Sequence, residues 1–135
     1  FLFIDEGTSS LDANNEKTFN LLGTAYDSLE NYQQAIEAYQ KSIQLNDQNA
    51  SVYFQLGNSL IQNIQYDDAI KAFDKVIQLS PENYKAHKKL GSVFQKKEDL
   101  NKAIEEYWKS IEIKSDDSDA YNELGNLFLS PKTLK

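Results

Sequence analysis

Cysteine, methionine and arginine are absent from this chain of 135 residues, proline occurs twice and glycine five times. Without cysteine there is no disulfide framework, no thiol nucleophile and no Cys-ligated metal site. Without arginine all 14 basic residues are lysine, set against 21 Asp and Glu for a formal net charge of −7. That balance argues against nucleic acid or an anionic membrane as a partner of the chain as a whole. No apolar run approaches the roughly 20 residues of a membrane span. The opening Phe1-Leu2-Phe3-Ile4 stops at Asp5-Glu6, too short and too acidic for a signal peptide. A chain that starts at Phe1 without methionine is expected to be a piece of a longer protein, with a cytoplasmic setting as the expectation for the whole.

The five glycines stand at 7, 23, 57, 91 and 125, and the last four are 34 residues apart, as are Ala35, Ala69 and Ala103. Two residue types sharing one period mark a stacked-repeat architecture. Aligned on the glycines, the chain divides into units 16–49, 50–83 and 84–117 and a half unit 118–135, after a non-repeat leader 1–15. The fourth place of each unit holds Phe19, Tyr53, His87 and Tyr121, and the eleventh holds Tyr26, Leu60, Phe94 and Phe128. Each of Ala35, Ala69 and Ala103 is followed four residues later by an aromatic, Tyr39, Phe73 or Tyr107.

These spacings of three, four and seven place the residues on one face of a helix. A polar turn such as Glu30-Asn31 or Lys97-Glu98-Asp99 separates two periodic stretches in each unit, the second opening near Tyr32, Tyr66 or Leu100. Between units lie Asn46–Asn49, Ser80–Asn83 and Lys114–Asp117, rich in turn and N-cap residues, with Pro81 at a helix boundary. Each unit therefore reads as a helical hairpin. Gly at the eighth place and Ala at the twentieth leave room for the paired helices to approach. Because one hairpin cannot bury its apolar face, the units must stack. His87 falls on a core-facing place, where a packed neutral imidazole is the expectation.

This pattern resembles the tetratricopeptide repeat, whose 34-residue signature runs aromatic, Leu-Gly, aromatic, then Ala, aromatic and Pro. The resemblance spans residues 16–130 and implies an all-α fold, a right-handed α-α superhelix of three full hairpins and a C-terminal half repeat. The departures are Asp47 and Ser115 in place of Pro, Ser42, Val76 and Ser110 in place of Ala, and His87 in place of a large aromatic.

The leader has a different resemblance. Phe1-Leu2-Phe3-Ile4-Asp5-Glu6, followed by Thr8-Ser9-Ser10-Leu11-Asp12, is similar to the Walker B strand and D-loop of an ABC-type ATPase. That family would use Asp5 to hold Mg²⁺, Glu6 to polarise water and Ser9–Asp12 to touch an opposite subunit. Yet no G-x-x-x-x-G-K-[ST] and no Leu-Ser-Gly-Gly is present, so phosphate-cradling amides and the P-loop lysine are missing. Two readings stand, a remnant of a truncated or fused ATPase gene and a coincidental capping strand or coil. Neither is expected to hydrolyse ATP.

In the tetratricopeptide family the first helix of each hairpin lines a concave groove. The resemblance places Asn20, Thr24 and Asp27 there from the first unit, Phe54, Gln55 and Asn58 from the second, Lys85, Lys88 and Lys89 from the third, and Asn122 and Asn126 from the half unit. Five lysines fall at 85, 88, 89, 96 and 97. They form either a solvated face balancing acidic neighbours or a positive patch for an acidic peptide. Lys85 and Lys89 match two places of the carboxylate clamp of chaperone-binding members, but Asn20, Thr24 and Gln55 stand in the other three. Asparagine can pair with a ligand backbone whatever its side chains, although 12 Asn and 10 Gln make amide surface common here. Phe54 and Trp108 stand where other units are polar, as partner anchors or as local packing.

The leading functional expectation is a protein-interaction scaffold holding a peptide or partner helix, with the alternative of a non-catalytic fragment of a larger enzyme, an ABC-type ATPase fusion or a repeat-bearing transferase. No nucleophile–base pair, metal-ligating cluster or phosphate loop is visible, so no catalytic residue and no cofactor is expected. The last helix carries Tyr121, Leu124 and Phe128 on its core side. It either caps the third unit or begins a fourth, and in the second case the stripe is expected to drive end-to-end pairing.

Overall fold

The computed structural model describes the backbone of residues 2–129 and the side chains from residue 15 to 129. Within it lie seven helices, α1 (Leu2–Ser28), α2 (Tyr32–Leu45), α3 (Ala50–Gln62), α4 (Tyr66–Leu79), α5 (Tyr84–Lys96), α6 (Leu100–Ile113) and α7 (Ser118–Phe128), and no strand among the described residues. Each helix packs on the one before and the one after it, and α1 also meets α3. The result is a superhelix of hairpins α1/α2, α3/α4 and α5/α6, followed by α7.

The second helices begin at Tyr32, Tyr66 and Leu100, where the sequence pattern turns periodic again. The leader differs from its resemblance. Its backbone is helical and continuous with α1 where the Walker-like reading implies a strand. The side chains of Asp5, Glu6 and Ser9–Asp12 lie outside the described residues, as does the Ser130–Lys135 portion of the half unit.

Polar residues at the unit boundaries start the helices. Asn49 accepts from the Ser51 N–H, Asn83 from Ala86, Asp99 from Lys102, and Asp117 from both Asp119 and Ala120. Each satisfies an amide that the first turn leaves without a helical partner. The first helices of the three hairpins all end the same way. Asn31, Gln65 and Asp99 donate their amides to the carbonyls of Tyr26, Leu60 and Phe94, and Glu30, Ile64 and Glu98 to those of Asp27, Ile61 and Gln95. This paired closure needs a left-handed residue. Glu30, Ile64 and Glu98 supply it with φ of 60°, 60° and 63°. For the β-branched Ile64 that conformation is strained.

The period has a direct packing cause. A Cβ on Gly23, Gly57 or Gly91 would lie 2.5, 2.6 or 2.8 Å from the ring of Tyr39, Phe73 or Tyr107 on the facing helix. Only glycine lets these rings lie against the helix backbone. The rings are buried, and so are Ala35, Ala69 and Ala103, one turn before them. Removing a ring such as Phe73 from water contributes about 2–3 kcal/mol. Small residue and aromatic thus make one joint, used three times.

His87 is packed, as its core-facing place implies, but against a polar partner. Its Nδ1 lies 2.8 Å from Glu106 Oε2, with both side chains 12% exposed. The corresponding pairs in the other units are Phe19 with Ala38 and Tyr53 with Ala72. The third unit has therefore exchanged an aromatic–alanine pair for a polar one. Lys109 also reaches Glu106 at 3.2 Å. Burial pushes the Glu106 carboxyl up, but the His87 and Lys109 contacts outweigh it and hold it below the usual range. On α7, Leu124 is buried, while Tyr121 and Phe128 are 46% and 49% exposed. Of this stripe, the two aromatics lie open and the leucine does not.

Candidate functional site

Polar contacts across the first two hairpins tie α1, α2 and α3 together. Gln55 Nε2 lies 3.4 Å from Thr24 Oγ1, joining α3 to α1. Asp27 accepts from the Tyr39 hydroxyl at 2.7 Å and from Ser59 Oγ at 2.6 Å. One carboxylate therefore gathers α1, α2 and α3. Burial pushes the Tyr39 phenol up to about 12, with the adjacent Asp27 charge adding to the rise and the Thr24 contact opposing it. Asp27 belongs to the expected groove set, whereas Ser59 was missed, having no signal beyond a serine on the apolar face of α3.

α1 and α3 carry unmatched amide carbonyls. Asn20 Oδ1, Gln55 Oε1 and Asn58 Oδ1 are buried without a hydrogen-bond partner among the described residues. A buried acceptor without a donor costs on the order of 1–3 kcal/mol. Rotating a carboxamide by 180° exchanges its oxygen and NH₂ and lets the same side chain offer either group. Phe54, in contrast, packs edge-on against Phe73 with centroids 5.4 Å apart and planes at 79°. It is mostly a wall of the core in this state.

A second polar surface is built by α5, α6 and α7. Lys88, Lys89, Ser92, Tyr107, Asp119, Asn122 and Glu123 line a cavity of about 350 Å³. The three lysines first assigned to the groove occupy different environments. Lys85 is exposed. Lys88 is bound to Asp117 at 2.9 Å and lies 3.8 Å from Asp119, so its charge is matched within the protein. Its hydrogen bond, against the opposing effect of burial, holds the Asp117 carboxyl below the usual range. Lys89 is half-buried and makes no ion pair or hydrogen bond among the described residues. Burial, and then the neighbouring Lys88 charge, pulls the Lys89 ammonium below its ordinary value. Asn122 borders the same cavity, while Asn126 is exposed one turn further along α7. Trp108 lies on α6 and is 46% exposed.

Lys97, also of the lysine cluster, binds Asp67 on α4. Among the described residues no cluster of three or more His, Cys, Asp or Glu is placed to hold a metal ion, and no helix is long and apolar enough to cross a membrane.

Family models described as tetratricopeptide repeats match residues 16–49, 38–71 and 84–117, and one described as a TPR repeat matches 58–98. No curated protein matches the chain in sequence. Among solved structures, MamA is 30% identical, covers 95% of this chain and 75% of its own, and superposes with a TM-score of 0.84. YrrB, described as a TPR protein with an unusual peptide-binding site, is 29% identical over 80% of this chain and 56% of its own, with a TM-score of 0.77. The first TPR of Spaghetti (RPAP3), bound to an HSP90 peptide, shares the fold with a TM-score of 0.79 at 18% identity, covering 84% and 90% of the two chains. The repeat matches and the MamA likeness together show that the chain belongs to the tetratricopeptide repeat family.

Proposed function

We propose that this interaction scaffold takes an acidic peptide segment, laid along the groove of α1, α3, α5 and α7, as a binding and not a catalytic module. The observation that carries the reading is Lys89, a half-buried cation without an ion pair among the described residues, beside Asn122 in a cavity of about 350 Å³. A ligand carboxylate there would pair with a cation that makes no ion pair among the described residues. The carboxamides of Asn20, Gln55 and Asn58 extend the same surface with groups suited to a peptide backbone. Solved relatives described as peptide-binding or peptide-bound support this mode. The ligand need not follow the carboxylate clamp, since Asn20, Thr24 and Gln55 replace three of its five groups.

Selection from a random dodecapeptide display library tests the reading. Peptides retained by the wild-type chain are expected to be enriched in Asp and Glu, and Lys89→Glu to abolish that enrichment. Retained peptides without acidic enrichment would refute it.

A further inference from the structure

Two charges of opposite sign line the cavity of about 350 Å³ among α5, α6 and α7 without a partner among the described residues. Lys89, on α5, is the cation already described. Glu123, on α7, is partly buried and makes neither an ion pair nor a hydrogen bond among those residues, with Lys89 or with any other. The Tyr107 hydroxyl in the same cavity donates to Gln95 instead. Burial, and then the nearby Glu123 charge, pushes the Tyr107 phenol up. The other lysine of the cavity is already matched, since Lys88 is bound to Asp117 and lies 3.8 Å from Asp119.

The register of the two charges is set by the repeat. Lys89 and Glu123 are 34 residues apart and hold the sixth place of consecutive units, where the second unit has Gln55. Gln55 spends its amide on Thr24, at the ninth place of the unit before it. The equivalent partner of Lys89 is Asn58, whose Oδ1 is buried without a hydrogen bond among the described residues. The equivalent partner of Glu123 is Ser92, which lines the cavity and makes no hydrogen bond to it. A place that ties α3 to α1 through a neutral amide thus presents an open cation on α5 and an open anion on α7.

These two charges restrict which acidic segment fits. A segment acidic throughout would satisfy Lys89 but set a second carboxylate against Glu123, and like charges brought together across an interface are costly. A segment carrying a cation near its acid would satisfy both walls. In an extended chain alternate side chains face the same side, so two charges reaching one cavity stand two residues apart. We propose that the cavity among α5, α6 and α7 reads a charge pair, taking a peptide segment whose acidic side chain meets Lys89 and whose basic side chain, two residues away, meets Glu123. The proposal rests on the acidic-peptide reading and narrows it, because Glu123 rejects what Lys89 alone would accept.

The random dodecapeptide display selection tests it when run on the intact wild-type chain, on Glu123→Gln and on the charge-reversed double variant Lys89→Glu/Glu123→Lys. Among peptides retained by wild type, Asp or Glu should have Lys or Arg two positions away several-fold more often than their separate frequencies predict. Glu123→Gln should lose that basic companion. The double variant should recover the pair in the opposite order. Thermal unfolding of each variant checks that it is folded, and the wild-type correlation decides the proposal even without the variants. Acidic enrichment with no correlated base would overturn the charge pair while leaving the acidic-peptide reading standing. A basic companion retained equally by Glu123→Gln would also overturn it, since another carboxylate would then receive the base. Absence of acidic enrichment from the wild-type selection would overturn both.

Discussion

Replacing Gly57 and Gly125 separately by alanine isolates the energy of the joint that sets the repeat period. At Gly57 the new Cβ would lie 2.6 Å from Phe73 Cζ and 2.7 Å from Cε2, nearly 1 Å inside ordinary carbon contact. Phe73 has no free space to retreat into, being fully buried and held edge-on by Phe54. Displacing such a ring costs about 1–3 kcal/mol. Against this, Gly→Ala in a helix gains up to about 1 kcal/mol. Gly125→Ala has the gain without the clash, because nothing lies within 4 Å of that Cβ. The two variants should therefore differ by about 1–3 kcal/mol, with Gly57→Ala the less stable. Thermal and urea unfolding followed by circular dichroism would read the difference. Adding Phe73→Leu to Gly57→Ala should recover part of the loss, because the shorter side chain leaves the Cβ room. Equal effects of the two alanines would refute the packing origin of the 34-residue period.

Ile64→Asn should raise stability by about 1 kcal/mol, because Asn tolerates the left-handed conformation and Ile64 is 72% exposed, so little apolar burial is lost. A lower melting temperature would contradict this. His87→Phe alone should destabilise the chain by about 1–3 kcal/mol by depriving Glu106 of a buried partner. The double variant with Glu106→Ala restores the pattern of the first two units and should be at least as stable as wild type, which chemical denaturation of the full cycle would measure. Lys88→Met should flatten the acid limb of the stability profile. The Asp117 pKa is lowered in the fold, so its contribution is present above the unfolded carboxylate range and is lost as pH falls through the folded value. Removing Lys88 takes away much of that dependence and costs up to about 1 kcal/mol near neutrality. An unchanged profile below pH 4 would contradict the pairing.

What was legible in the sequence follows from how each feature is encoded. The hairpins and their joints depend on glycine, alanine and aromatics at fixed spacing, and each is a local volume requirement that few residues meet. The left-handed turn residues gave no such signal, since Glu30, Ile64 and Glu98 are not the glycine or asparagine usual there. The pairing of His87 with Glu106 was visible only as a coincidence of two departures, a histidine for an aromatic and a glutamate for an alanine. Lys88 and Lys89 are adjacent in sequence and equivalent in composition. What separates them is Asp117, brought against Lys88 from 29 residues away by the packing of α7. Phe54 occupies a groove register, but its ring turns toward Phe73, a choice of rotamer that periodicity does not fix.

The central functional claim is that ligands occupy the side of the superhelix formed by the odd-numbered helices. Backbone-amide NMR of the intact chain, titrated with the most strongly enriched acidic peptide from the display selection, tests it most directly. Shifts are expected at Asn20, Asn58, Lys89 and Asn122, on α1, α3, α5 and α7, and should be absent in Lys89→Glu. Shifts confined to α2, α4 and α6 would contradict the claim.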